Sequence, residues 1–136
     1  MDRHWRPVRR AELLLAGALA VLLLVAGWCS LGSVRAHTRE AAVCRNARTL
    51  QLAAEVHAAR YGGVYPTDPV DLVALLPEGR SPRNPYTGAL SIFDGSPGDL
   101  AYAWTRPGLD YRITAYAPGN AGPRPLLVLT GSAPRR

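Results

Sequence analysis

Residues 13–34 read LLLAGALAVLLLVAGWCSLGSV, and residues 35–60 continue as RAHTREAAVCRNARTLQLAAEVHAAR. The first stretch holds 22 residues without a formal charge, whereas charged residues recur throughout the second. As a helix, 22 residues span about 33 Å, close to the roughly 30 Å hydrocarbon core of a bilayer. No glycine or proline interrupts residues 33–60, so we expect one helix from about Arg9 to Arg60.

The flank before the apolar stretch is basic. The chain of 136 residues carries a formal net charge of +6, and residues 1–12 contribute +2 of it through four arginines. The positive-inside rule therefore places the N-terminus in the cytoplasm and the rest of the chain outside the cytoplasmic membrane. A cleaved signal peptide is the rival interpretation, because Val34 and Ala36 suit the −3 and −1 positions of a peptidase site. The apolar run exceeds the usual ~7–15 residues of such a peptide, so we expect the helix to be retained.

The second part of the predicted helix is amphipathic. Apolar residues recur at steps of three and four, which predicts a stripe that faces a core: Val43, Ala47, Leu50, Ala54, Ala58 and Tyr61. Gly62 and Gly63 follow, and either can adopt the left-handed conformation that ends a helix. The stripe is therefore expected to lie on a sheet formed by the rest of the chain.

The remainder of the chain predicts a short helix and then strands. Asp68 is a natural N-cap, Pro69 suits the first helical position, and Pro77 ends the helix, whose apolar face holds Leu72, Leu75 and Leu76. Glycine- and proline-rich turns then separate four candidate strands, ALSIF, LAYAW, DYRITAY and LLVLT. In DYRITAY, we expect Tyr111, Ile113 and Ala115 to face the helix, and Arg112, Thr114 and Tyr116 to face away.

These patterns predict an α+β protein, in which a long N-terminal helix packs on three or four short antiparallel strands. We divide the chain into a basic leader (1–12), a membrane-spanning helix (13–34), its amphipathic continuation (35–61), a small α+β domain (62–132) and a flexible tail (133–136).

Composition argues against several classes of function. The basic residues after the membrane segment are scattered rather than aligned on one face, so we expect no nucleic-acid partner. Cys29 and Cys44 lie 15 residues apart, about 22 Å along one helix, which is too far for a disulfide. With one cysteine outside the apolar segment, a cysteine metal cluster is not available.

The candidate chemical groups favour structural roles. His57 lies on the predicted helix near the apolar stripe, where a packed or exposed side chain is more common than a metal ligand. Asp94 and Asp99 in DGSPGD could contribute to a calcium loop, but a turn with two solvated acids accounts for them more simply. The serines lack a nucleophile motif, so we expect no enzyme activity, no cofactor and no metal site.

The order of these elements resembles the type IV pilin-like proteins, especially the pseudopilins of type II secretion systems. The segments that carry the resemblance are RPVRRAELL, CRNARTLQLAAEVHAARYGGVYP, DLVALLP, NPYTG, GDLAY and YRITAY, which together cover roughly residues 6–117. The first of them aligns without a gap to the family's start, Arg-Gly-Phe-Thr-Leu-Ile-Glu-Leu-Leu, with matches at Arg6, Glu12, Leu13 and Leu14.

The resemblance implies a membrane-anchored structural subunit. Its partners would be other pilin-like subunits, proteins of a secretion or pilus apparatus, and membrane lipid, and Glu12 would be the family's assembly glutamate. An alternative is a stand-alone anchored envelope domain that keeps the pilin fold and binds another envelope partner. A third possibility, a hydrolase exported by a signal peptide, needs a catalytic constellation that the sequence does not display.

The processing site departs from the family pattern. The family is cut after a glycine five residues before the glutamate, and Pro7 occupies that position here, followed by Val8. Because proline fixes its own φ and restricts its neighbour, we expect the leader to remain attached. Glu12 then pairs with Arg9 three residues earlier on its own helix, extends to the membrane interface, or meets a positive group of a neighbouring subunit.

Overall fold

The computed structural model describes residues 10–132, and it describes their side chains except at 10, 11 and 29–31. The leader residues 1–9 and the tail 133–136 therefore lie outside the described part of the chain. The elements, in chain order, are helix α1 (Arg10–Arg60), helix α2 (Val70–Val73), a 3₁₀ turn (Pro77–Gly79), and strands β1 (Leu100–Ala103), β2 (Asp110–Gly119) and β3 (Gly122–Ser132).

Helix α1 has 51 residues and ends where the sequence predicts. Gly62 has a φ of 69°, the left-handed conformation that favours glycine, and the Gly63 N–H donates to the Ala58 carbonyl over 2.7 Å. This bond satisfies a carbonyl that the last helical turn would otherwise leave unpaired.

By its contacts the chain divides into two compact units, with the boundary between Ala36 and His37. In the described part of the first unit, α1 is the only element, and its apolar side chains are exposed. The second unit contains the later part of α1 together with α2 and the three strands.

The sheet is an antiparallel meander in the order β1-β2-β3. Central strand β2 places Ile113 between Tyr102 of β1 and Leu129 of β3. The ladder between β2 and β3 shifts register between Ala115 and Tyr116, which is a β-bulge. The fold is therefore α+β, with one long helix and a small antiparallel sheet.

The core lies between the second part of α1 and the sheet. Its buried members combine the helical stripe with the inner face of β2 and residues from the connecting segments: Val43, Ala47, Leu50, Ala53, Ala54, Ala58, Tyr65, Leu72, Leu76, Leu100, Tyr111, Ile113 and Ala115. The predicted stripe is confirmed except at its last position.

Three details of the sequence prediction are wrong. Tyr61 does not join the core, because α1 ends at Arg60 and the Tyr61 ring instead stacks on His57, with 4.4 Å between ring centroids. Thr114 does not face solvent: it is buried, since its strand is central and its register neighbours are Ala101 and Val128.

The third detail is the length of the short helix. Helix α2 is a single turn that ends at Val73, so Leu75 and Leu76 lie beyond it, and a 3₁₀ turn begins at Pro77. Asp68 lies just before the helix, and its Oδ1 accepts a hydrogen bond of 2.8 Å from the Val70 N–H. The candidate strand ALSIF contributes only an isolated bridge between Leu90 and Arg83, so three of the predicted three or four strands form.

Candidate functional site

The first candidate is the exposed apolar surface at the start of α1. Leu13, Leu14, Leu22 and Trp28 are each more than 60% exposed, with Trp28 at 82%. In the described residues, this is the one helix that is long and apolar enough to cross a membrane, a test that a signal sequence near an N-terminus also passes. Such a surface in water would be a liability, so it is suited to lipid or to apolar helices.

Glu12 is exposed in the first turn of α1. An acid there interacts favourably with the partial positive charge of the helix N-terminus, by about 0.3–1 kcal/mol. This interaction would stabilise the Glu12 carboxylate without any partner side chain. It is a further possibility beside those that the sequence indicates. Arg9, Pro7 and Val8 lie outside the described residues, so the pairing with Arg9 and the altered processing site remain predictions.

A second cluster joins α1 to the sheet and was not predicted. Glu55 accepts one hydrogen bond from the Tyr65 hydroxyl at 3.0 Å and another from the Tyr111 hydroxyl at 2.6 Å. Tyr102 stacks on Tyr111 with 5.9 Å between centroids, and its hydroxyl donates to the Pro66 carbonyl over 2.7 Å. The cluster therefore fastens the helix, the segment after it and two strands to one another.

The environment of this cluster opposes ionisation of its phenols. Burial, together with the Glu55 carboxylate, raises the pKa of Tyr65 to about 12. The same causes raise the pKa of Tyr111, and burial raises the pKa of Tyr102 to about 12. The three tyrosines act as hydrogen-bond donors, which is a structural role rather than an acid–base one.

A third cluster locks the NPYTG turn against the DGSPGD loop. Asn84 is buried, its Nδ2 donates to the Pro97 carbonyl over 2.9 Å, and its Oδ1 accepts from the Tyr86 N–H over 2.8 Å. Gly98 has a φ of 84°, and a Cβ there would overlap the Asn84 amide and the Tyr86 ring. Two segments that the sequence marks only as turns therefore form one packed unit.

The two aspartates of this loop have different surroundings. Asp99 is 3% exposed and accepts hydrogen bonds from the Ser91 hydroxyl, from the Ile92 N–H at 3.1 Å and from the Leu100 N–H at 2.7 Å. The expectation that it is solvated is wrong, because the loop folds around it. Asp94 is exposed, and the Ser96 N–H, 2.8 Å from its Oδ1, holds the pKa of Asp94 below its ordinary value.

His57 behaves as a structural residue. Its Nδ1 lies 3.0 Å from the Val64 carbonyl oxygen, and its ring packs on Tyr61. Among the described residues, no group of three His, Cys, Asp or Glu side chains could hold a metal ion. A shallow cleft beside α1 is lined by Asn46, Thr49, Arg80, Ser81 and Arg83, among others, and its lining includes no histidine or cysteine.

No family model, no curated protein and no solved structure matches this chain. The fold and the exposed surface define an α+β protein whose long N-terminal helix contains a segment suited to a membrane.

Proposed function

We propose that this chain is a membrane-anchored, pilin-like structural subunit of a type II secretion or type IV pilus-type apparatus. It is held in the cytoplasmic membrane by its single N-terminal helix, with the N-terminus in the cytoplasm and the domain outside. Its partners are other pilin-like subunits and proteins of the same apparatus, and its work is assembly rather than catalysis.

The observation that supports this proposal most strongly is that the two parts of α1 differ in exposure. Residues 13–28 expose their apolar side chains, whereas a buried stripe from Val43 to Ala58 forms half of the core of a small antiparallel domain. A helix that served only the domain would not need a further stretch of exposed apolar residues before the buried stripe. One helix thus supplies both an anchor and the foundation of the domain, as the resemblance to pilin-like proteins implies.

Several of the segments that carry the resemblance are neighbours in the domain. NPYTG packs on the DGSPGD loop, which overlaps the start of GDLAY, through Asn84 and Gly98, and YRITAY forms part of the central strand. Segments that are weak signals separately are therefore neighbours in one fold. This supports the proposal without depending on any one motif.

Glu12 provides a test of assembly. If the charge of Glu12 orients neighbouring subunits, Glu12→Gln will reduce the recovery of pilin-like partners when the full chain is isolated from membranes, whereas Glu12→Asp will retain most of it. Glu78→Gln, at an exposed carboxylate of the domain, serves as the control. Undiminished recovery with Glu12→Gln would show that the carboxylate serves only its own helix.

The N-terminus gives a second test. We expect mass spectrometry of the purified mature chain to find the leader still attached, because Pro7 occupies the position of the cleaved glycine. Cleavage between Pro7 and Val8, with a methylated amine, would overturn this part of the proposal. A mature protein that begins near His37 would instead identify the apolar helix as a signal peptide.

A further inference from the structure

The outer edge of β3 is long and unpaired. In the sheet order β1-β2-β3, β3 pairs with β2 alone, and it runs for 11 residues. Across residues 10–132, no backbone hydrogen bond outside the β2 ladder involves β3. The unpaired N–H and C=O groups of such an edge are a template for another strand, and natural proteins usually protect them.

The opposite edge of the sheet is protected. Asp94 forms a bridge with Ala101 of β1, and the Gly95 N–H donates to the Leu100 carbonyl over 3.0 Å. The loop before β1 therefore covers the short first strand. With a single open edge, the sheet can add one partner but cannot propagate on both sides.

The β-bulge lies at Leu126, which has no register partner on β2, and from residue 127 onward the open edge lacks the usual devices against pairing. Residues 126–132 read LLVLTGS, with neither a charge nor a proline. Pro123 and Pro125 limit pairing only at the beginning of the strand, because proline cannot donate to a ladder. Arg124 is the only charged residue of β3, and its Nη2 already donates to Glu40 of α1 over 2.6 Å.

We propose that this edge pairs with the same edge of a second copy of the chain, antiparallel about a two-fold axis at Val128. This pairing sets Leu127 opposite Leu129 and Val128 opposite its own copy, so no two charges face each other. In this register, half-buried Leu127 meets half-buried Leu129, and exposed Val128 meets exposed Val128. A second copy fits because the uncharged segment is complementary to itself.

The pairing would join two three-stranded sheets into one of six strands. The pairing involves only the domain and does not depend on the membrane segment. A test of the pairing can therefore give a negative result without contradicting the proposed function, and the reverse is also true. It is also distinct from helix-mediated packing, because the contact residues are those of β3.

Cysteine cross-linking of the full chain in detergent tests the pairing. Cys29 and Cys44 are first replaced by alanine, and a single cysteine is then placed at Val128 or, as a matched control, at Leu52. Both positions are exposed, Val128 at 53% and Leu52 at 65%, but Leu52 lies on α1. Opposed residues of antiparallel strands have Cα atoms about 4.5–5.5 Å apart, within disulfide range, so we expect Val128→Cys to dimerise about tenfold faster than Leu52→Cys.

Amide exchange gives a second measurement that does not depend on cysteine. We expect protection of residues 126–132 to rise with protein concentration, to be lost in Val128→Lys, which opposes two like charges, and to persist in Val128→Thr. Protection of β2 in all three proteins shows that each has folded.

Equal oxidation rates at the two cysteines would overturn the proposal, as would exchange at β3 that does not change with concentration. In native membranes, a Val128→Cys adduct with a different protein, in place of one twice the mass of the chain, would identify the occupant of this edge as another polypeptide. That outcome also contradicts the pairing with a second copy.

Discussion

Glu55 on helix α1 accepts a hydrogen bond of 2.6 Å from the hydroxyl of Tyr111 on the central strand, 56 residues later in the chain. The same carboxylate accepts a second bond from Tyr65, at 3.0 Å. Both tyrosines are buried, at 6% exposure or less. A buried phenol that loses its hydrogen-bond acceptor lowers the stability of the folded state. The helix and the sheet are thus joined by one acid that serves two donors.

Removal of this acceptor should destabilise the domain. We expect Glu55→Ala to lower the free energy of unfolding by about 2 kcal/mol, and Glu55→Gln by less, because its amide oxygen can still accept one bond. The change is measured by denaturant unfolding of the full chain in detergent, with the circular dichroism of the tyrosines as the probe of unfolding. Glu78→Ala is the control, since Glu78 is exposed and its nearest contact with Arg80 is 3.9 Å. Equal effects at the two positions would show that the tyrosine contacts contribute nothing.

The same tyrosines predict a loss of stability at alkaline pH. The folded-state pKa of Tyr65 is raised from 10.0 to about 12, so its contribution is fully present below pH 10 and is lost as the pH rises through 12. Stability measured between about pH 9 and about pH 12 should therefore fall, and Tyr65→Phe should flatten the fall.

Tyr61→Phe is the matched control for this titration, because Tyr61 is 63% exposed. It should leave the alkaline loss unchanged. A curve for Tyr65→Phe that is as steep as that of the parent chain would assign the loss to other groups.

Shortening a side chain to alanine should have a large effect on the buried face of α1 and a small effect on its exposed face. Leu50 is fully buried, so Leu50→Ala should cost about 2–5 kcal/mol of unfolding free energy, through lost apolar burial and the cavity that remains. Leu52, only two residues away, is 65% exposed, and Leu52→Ala should cost within about 0.5 kcal/mol. Similar losses at both positions would mean that the helix presents a different face to the sheet.

Alanine substitutions at Gly98 and Gly88 distinguish the cost of steric overlap from the cost of backbone strain. Both have positive φ, 84° and 75°, so an alanine at either position carries a similar backbone penalty of about 1 kcal/mol. A Cβ at Gly88 meets open space, whereas one at Gly98 overlaps Asn84 and Tyr86. We therefore expect Gly98→Ala to cost about 1–3 kcal/mol more than Gly88→Ala in thermal unfolding. Equal costs would show that the two loops are not packed as described.

Much of the fold could be predicted because its signals are local. The three- and four-residue spacing of Val43, Ala47 and Leu50 places them on one helical face, and Gly62 ends that helix through its own backbone conformation. Strand DYRITAY likewise alternates with the period of a half-covered sheet. The prediction was wrong at Tyr61, where the helix had already ended, and at Thr114, whose central strand is covered on both edges.

The links between distant segments could not be predicted. Glu55 lies off the apolar stripe and looks like a solvated helix residue, and nothing in its neighbourhood indicates two phenols as partners. Asn84 and Asp99 are likewise polar residues in turn-rich sequence, which is normally exposed, yet each is buried because its side chain satisfies backbone groups of an adjacent loop. Such contacts depend on tertiary packing, which has no local periodicity.

The proposed function requires the apolar part of α1 to pack with other pilin-like subunits within the membrane. Photo-cross-linking of the full chain in its native membrane tests this contact. A photoreactive residue replaces Leu19, which is 61% exposed. The control carries the same photoreactive residue at Arg80 in the domain. We expect Leu19 adducts to contain pilin-like subunits, and we expect the Arg80 control to give a different set. Leu19 adducts that contain only proteins of other kinds would contradict it and would favour a stand-alone anchored domain.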